Sequence, residues 1–221
     1  MVISKKPINP KCNLYSKGEQ IKQVKKFKYL GFLITSDGKC TSEIKKRIAM
    51  SKDAFQKMKP ILTNRNITMA TKIRVLKTYV WSVLLYGCEC WTINKETEKK
   101  LESAEMWFIR RIMRISWMDK KSNESVLKDA NLERSLIKTI RRRQLQFLGH
   151  NCRHKGLEYL SITGKIEGKR SRGRQRITFI ESLKSWTVKN SWPSTKNFLN
   201  LAEDRFEWKT MVANVCSRQG T

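Results

Sequence analysis

The sequence predicts a mainly α-helical fold with a small β hairpin at the N-terminus, then a helical bundle and a basic helical region. Strand and turn residues dominate up to residue 40, whereas helix caps and apolar residues at three- and four-residue spacing recur from Thr41 onward. With 39% apolar residues among 221, the chain can also build a core. We expect five segments, at 1–40, 41–90, 91–155, 156–176 and 177–221.

The first segment has the composition of short strands and turns. We expect strands at residues 1–4 and 21–34. In the longer strand, Phe27 and Tyr29 share one face, and the later apolar residues fall on the other. Gly31 lies at this switch, which predicts a β-bulge or a close approach of the backbone to another group.

Helices are predicted after the hairpin. The third, for example, begins at Asn94 and places Leu101, Phe108 and Ile112 on one stripe. In a later helix Gln144 falls on the apolar face. The predicted helices run from Thr41 or Ser42 to just before Pro60, then over 68–86, 94–115, 122–130, 133–149, 177–188 and 194–215, with a glycine-rich break at 155–175.

The net charge of +28 is the strongest feature of the composition. The chain carries 47 Lys and Arg against 19 Asp and Glu. This excess exceeds what solubility needs and is typical of proteins that bind polyanions. We expect RNA, DNA or an RNA–DNA hybrid as the partner, bound through phosphates; the alternative is a solvated basic surface without a specific ligand.

Catalytic and metal sites are not expected. The five aspartates are scattered, and the glutamates of residues 96–105 lie in the first half of a helix, where they suit its dipole. Cys88 with Cys90, or His150 with Cys152 and His154, lack the second pair of ligands that a structural zinc site needs. We therefore expect no catalytic residue, metal or other cofactor in this chain.

Basic residues interleaved with aromatic ones are the candidate contacts. Trp107, Arg110, Arg111 and Arg114 fall on one helical stripe that would follow a phosphate backbone, unless Trp107 simply closes the core. The run from Gly164 to Arg176 spaces cations with glycines, so that several can reach successive phosphates; a nuclear-import signal or a solvated linker would look similar. Its candidate contacts are Lys169, Arg170, Arg172, Arg174 and Arg176.

The sequence indicates an intracellular protein of the nucleus or cytoplasm. We expect no membrane partner, because no apolar run reaches the length of a membrane span, and the first residues lack the apolar core of a secretory signal. The six cysteines show no repeated spacing of the kind that a disulfide framework has.

Several segments occur in a specific order: MVISKKP, KKFKYLGFLITSDGK, EIKKRIAMSKDAF, VLLYGCECWTI, FIRRIMRISWMDKKSNESVL, RRRQLQFLGH and GKIEGKRSRGRQR. Together they resemble the C-terminal part of a non-LTR (LINE-type) retrotransposon endonuclease-reverse transcriptase, closest to the RTE or BovB type. The resemblance extends over nearly the whole chain. Its most specific parts are YLGFLITSDG, LLYGCECW and the GKR-x-RGR run.

The resemblance implies a role for each segment. Residues 27–38 would be the primer-grip hairpin, with Tyr29 and Gly31 near the nucleic acid, and residues 41–87 the helices of the thumb. The region after Trp91 would bind template RNA or target DNA. Its candidate contacts include Arg141, Arg142, Arg143 and His150.

The resemblance also implies that this chain alone does not polymerise. The family's Tyr/Phe-x-Asp-Asp motif, through which the parent polymerase would use Mg²⁺, lies upstream of the matched region, so we expect Met1 to be an internal methionine. Two alternatives remain open. In the first, the chain is a captured host DNA- or RNA-binding module without an enzymatic role. In the second, it is a non-functional remnant whose exposed hairpin prevents stable folding.

Overall fold

The computed structural model describes residues 1–4, 10–164, 177–187 and 194–218. It confirms a mainly helical fold with a small antiparallel β element near the N-terminus. The strands are β1 (Tyr15–Ser16), β2 (Glu19–Gln20), β3 (Lys26–Tyr29) and β4 (Phe32–Thr35). The helices are α1 (Thr41–Leu62), α2 (Met69–Val75), α3 (Trp81–Leu84), α4 (Lys95–Met113), α5 (Asn123–Asp129), α6 (Leu136–His154), α7 (Leu157–Thr163), α8 (Phe179–Thr187), α9 (Thr195–Glu203) and α10 (Arg205–Arg218).

The predicted long strand is in fact a tight hairpin. Strands β3 and β4 pair from Lys26 with Thr35 to Tyr29 with Phe32, which leaves Leu30 and Gly31 as a two-residue turn. Both turn residues have positive φ, 46° and 81°, as a type I′ hairpin turn requires. The change of apolar face at Gly31 therefore marks a turn, and the predicted bulge is wrong. Residues 1–4 do not form the predicted strand.

Helix α1 continues through Pro60, where the sequence predicted its end. Pro60 removes one helix hydrogen bond, but Leu62 is fully buried and holds the last turn against the core. The N-cap also differs from the prediction. Cys40 occupies it and makes no side-chain capping bond.

Three predicted helix starts are occupied by capping residues. Thr68, Asn94 and Ser122 each accept a hydrogen bond from the backbone N–H three residues later. Asn94 and Thr97 form a reciprocal capping box. The helical stretch that follows Thr68 contains a short π-helical turn, Leu76–Val80, between α2 and α3.

Helix α6 starts and ends later than predicted, and the reasons are tertiary. The buried Glu105 carboxylate of α4 accepts from the backbone N–H groups of Ser135 and Leu136, at 2.8 and 2.9 Å, and so caps α6 from another helix. At the other end the helix passes through Gly149, where the predicted helix stops. Gly149 packs against the Trp208 indole so closely that an added Cβ would lie 2.3 Å from its Nε1.

The C-terminal part is more helical and more divided than predicted. Helix α7 lies in the stretch predicted as a glycine-rich break. The predicted helix of residues 194–215 is divided into α9 and α10, because the Asp204 carboxylate accepts from the backbone N–H groups of Phe206 and Glu207, both at 2.8 Å.

Helix α6 connects two hydrophobic cores. Its first half, with Leu136 and Ile140, packs in a core built from α1, α3 and α4. Its second half, with Leu145 and Leu148, packs in a core built with α8, α9 and α10. The first core includes residues on both sides of residue 90, where the sequence predicted a boundary between two segments. Among the described residues, no helix combines the length and apolarity needed to cross a membrane.

Candidate nucleic-acid interface

The hairpin turn is fixed by hydrogen bonds within the protein. The Gly31 carbonyl accepts from Arg47 Nη2 at 2.7 Å and from Lys46 Nζ at 3.2 Å. The Leu30 carbonyl accepts from the Tyr86 hydroxyl at 2.7 Å. A Cβ at Gly31 would make ordinary contacts, the nearest at 3.7 Å from the Tyr86 ring. The positive φ of the turn, not contact with a nucleic acid, therefore accounts for this glycine.

A buried ion pair holds the hairpin on α1. Glu43 is fully buried and accepts from Arg47 Nε at 2.6 Å and from the Leu33 backbone N–H at 2.8 Å. Strand β3 remains exposed, and 59% of Tyr29 is accessible. Tyr29 is thus available to a partner.

Helices α1 and α4 lie side by side and run in the same direction. Residues near the two helix starts, Lys45 and Lys99, line one hollow, and residues near the two ends, Lys59 and Arg114, line another. We call these two hollows together the α1/α4 groove. They meet at Trp107, which lines both of them.

The Trp107 ring forms part of the groove floor. On its inner side it packs edge-on against Phe55 and Phe108, with ring centroids 5.4 and 5.3 Å away. Phe55 and Phe108 are buried, whereas Trp107 remains partly exposed. Lys52 Nζ and Arg111 Cζ lie over the ring at 5.1 and 5.2 Å from its centroid. Trp107 therefore closes the core and also faces the groove.

The end of the groove near the helix C-termini is a cavity of about 760 Å³ with a strongly positive lining. Arg110, Arg111 and Arg114, which the sequence places on one stripe with Trp107, all line this cavity. Arg114 Nε donates to the Thr63 carbonyl at 3.0 Å, and Arg110 Nη2 to the Lys121 carbonyl at 2.7 Å. Each guanidinium has five N–H donors, so both retain others for an anion.

The opposite end is a hollow of about 570 Å³ that sequence reasoning missed. Its cations are Lys45, Lys52, Lys99 and Lys100. Among the described residues that line the groove, Glu96 is the only acidic one. Its pKa is lowered, chiefly by a hydrogen bond from Lys100, so it stays ionised.

The sequence does contain a signal for the row of lysines on α1. Lys45, Lys52 and Lys59 repeat every seven residues. Seven residues make nearly two helical turns, so the three ammonium groups follow one side of α1 over about 21 Å. This repeat predicts a row of cations on α1, although it does not show that the row lies beside the arginines of α4.

Arg141 is not a surface contact, so we exclude it from the interface. Its side chain is buried, and Nη1 donates to Gln144 Oε1 at 3.2 Å and to Ser182 Oγ at 3.0 Å. Burial lowers the pKa of this guanidinium to about 10. Gln144 is buried, as predicted, and donates to the carbonyls of Cys88 and Trp91 at 2.9 and 2.8 Å. Arg141 thus belongs to a polar network that ties α6 to α8 and to the segment between α3 and α4.

The other candidates on α6 are at the surface. Arg142 and His150 are exposed. Arg143 is partly exposed, and its Nη1 lies 3.7 Å from a Glu89 carboxylate oxygen. The His150 and His154 rings lie next to each other, with centroids 4.2 Å apart.

The glycine-spaced basic run lies outside the described residues. This concerns Lys169, Arg170, Arg172, Arg174 and Arg176.

Possible metal ligands and two of the buried thiols can also be compared with the sequence expectations. Within them, no three His, Cys, Asp or Glu side chains come together to hold a metal ion. Burial raises the pKa of the Cys88 thiol to about 12 and that of Cys152 to about 11. Both side chains therefore stay protonated at neutral pH and act as core residues.

No protein-family model, curated protein or solved structure matches this chain, so its function is inferred from the charge and geometry of the groove.

Proposed function

We propose that the chain binds nucleic acid through phosphates, without strong base specificity, in the α1/α4 groove. The observation that carries the proposal is the groove lining, with four Lys or Arg at each end and the Trp107 ring between them. Cations in two rows match a polyanionic backbone, and the excess of charge in the whole chain attracts such a ligand from a distance.

We also propose, on the motif order alone, that the chain derives from the C-terminal part of a non-LTR retrotransposon reverse transcriptase. The tight hairpin β3–β4, followed directly by α1, is compatible with a primer grip that leads into a thumb. In this proposal the chain contributes binding and positioning, and any polymerisation and its Mg²⁺ belong to upstream residues of the parent enzyme.

Salt dependence tests the binding. If about six phosphates are contacted, log K for a single strand should fall with log salt at a slope of about −4. Replacing Lys45, Lys59 and Arg111 by glutamine should make that slope about 2 units shallower, because each lost contact is worth about 0.7. All three side chains are exposed.

The matched control removes the same charge elsewhere. Lys57, Lys196 and Lys209 are exposed and do not line the groove. Their replacement by glutamine should leave the slope within about half a unit of that of the unmodified chain. An equal change in both triple variants would show diffuse attraction to a basic surface and would refute a groove-specific site.

A further inference from the structure

We infer that the α1/α4 groove takes single-stranded nucleic acid, with one unpaired base stacked on Trp107; this rests on the proposed function and makes the ligand more specific. A site for phosphates alone needs only cations. This groove also presents an aromatic ring in its floor, between the two rows of cations. Cationic grooves with aromatic platforms are the usual design of single-strand binding sites.

Duplex geometry argues against the alternative ligand. The groove is the crevice between two packed helices, whose side chains meet at Phe55 and Trp107 with ring centroids 5.4 Å apart. In a duplex the bases are paired and stacked inside, so only backbone atoms would reach the rims of this crevice. An unpaired base can turn into it and reach the ring.

The side chains around Trp107 suit a stacked base. Its inner contacts with Phe55 and Phe108 hold the ring in place, so stacking requires little ordering of the protein. The ends of Lys52 and Arg111, which have long, flexible stems, lie over the ring. When a base enters, both cations can move aside and contact the flanking phosphates.

The length of the groove sets the size of the ligand. Lys45 and Lys59 are separated by about 21 Å along α1. At about 3.4 Å per nucleotide of a stacked strand, this distance corresponds to about six nucleotides in all. This falls within the range of about 4 to 16 nucleotides that known single-strand sites cover. We therefore choose an oligothymidine of about twelve nucleotides as the probe.

The test crosses two changes, one in the protein and one in the ligand. Trp107→Leu removes the stacking ring, and an abasic strand of equal length removes the bases but keeps the phosphates. Affinities are measured by fluorescence anisotropy. We expect the unmodified chain to bind oligothymidine at least about fivefold more tightly than the abasic strand, and Trp107→Leu to bind the two equally.

This design separates a lost contact from a damaged fold. If Trp107→Leu only weakened folding, it would lower the affinity for both strands by the same factor, and the preference for bases would survive. That outcome, or equal binding of both strands by the unmodified chain, would overturn the inference. Trp107→Phe, which keeps an aromatic ring, should retain most of the preference.

Two further arms complete the experiment. A duplex of equal length should bind Trp107→Leu and the unmodified chain within about twofold, because its bases do not reach the ring. A loss on the duplex as large as on oligothymidine would contradict the inference while leaving the proposed function intact. Failure of the unmodified chain to bind any of the three probes would instead contradict the proposed function itself.

Lys52→Gln and Lys57→Gln test the position of the strand. Both residues are on α1, but Lys57 lies about 140° around the helix from Lys52 and does not line the groove. We expect Lys52→Gln to weaken oligothymidine binding about threefold more than Lys57→Gln. Equal effects would place the strand elsewhere and overturn the inference.

Discussion

Gly149→Ala examines the close contact between α6 and α10 at the Trp208 indole. The new methyl group would lie 2.3 Å from Trp208 Nε1 and 2.5 Å from its Cδ1, far inside contact distance. Trp208 is only 3% exposed, and its Nε1 donates to the Leu145 carbonyl at 2.9 Å. The indole therefore has to move, and this hydrogen bond is lost.

The cost of Gly149→Ala can be worked out from these contacts. Overpacking of a core by one methyl group costs about 1–3 kcal/mol. The lost hydrogen bond adds about 1 kcal/mol, and the better helix propensity of alanine recovers about 1 kcal/mol. We expect the free energy of unfolding to fall by about 1–3 kcal/mol, measured by urea denaturation with circular dichroism.

The refuting result has the opposite sign. Helix propensity alone predicts that Gly149→Ala stabilises the protein by about 1 kcal/mol. A gain of that size, or no change, would show that the indole does not press against this glycine. The control Ala49→Gly, at an exposed position of α1, should cost about 1 kcal/mol from propensity alone.

Three other substitutions test the structure away from the groove. Glu105→Ala should lower the free energy of unfolding by about 2–3 kcal/mol, because the N–H groups of Ser135 and Leu136 lose their acceptor; Glu105→Gln, which keeps an oxygen, should cost less than half of that in the same urea denaturation. Arg141→Met should leave the anisotropy-measured affinity for oligothymidine within about twofold, since the side chain is buried; a selective loss of binding would contradict its removal from the interface. Gly31→Ala should cost about 1 kcal/mol of unfolding free energy, because its φ is 81°, and should leave binding unchanged.

Local signals in the sequence placed most helices correctly. Thr68, Asn94 and Ser122 are polar residues before apolar periodic runs, and each caps the helix expected of it. Gln144 was expected inside because its position on the helix decides its burial, whatever its polarity. Such features depend on residues within a few positions of one another.

Features set by distant contacts were missed. The start of α6 depends on Glu105, thirty residues before Ser135. The presence of a glycine at position 149 inside the helix is explained by the Trp208 indole, which packs against it. Arg141 lies three residues before Gln144, on the same side of the helix, which indicates that it faces inward, but the family resemblance placed it among the candidate contacts. These errors arise because local sequence does not specify which groups pack against a helix.

The groove itself was half predicted. The stripe of Arg110, Arg111 and Arg114 beside Trp107 follows from helical spacing within α4. The lysines of α1 were not connected with it, because nothing in the sequence states that α1 and α4 lie side by side in the same direction. That pairing brings the two rows of cations together.

Photo-crosslinking is the measurement that tests the central claim most directly. An oligothymidine carrying photoreactive 4-thiothymidine would be irradiated with the protein, and the attached peptides identified by mass spectrometry. We predict that crosslinks concentrate in α1 and α4, on the peptide that contains Trp107, and disappear in the variant with glutamine at positions 45, 59 and 111. Crosslinks confined to β3 or α6, and unaffected by that variant, would show that the α1/α4 groove is not the binding site.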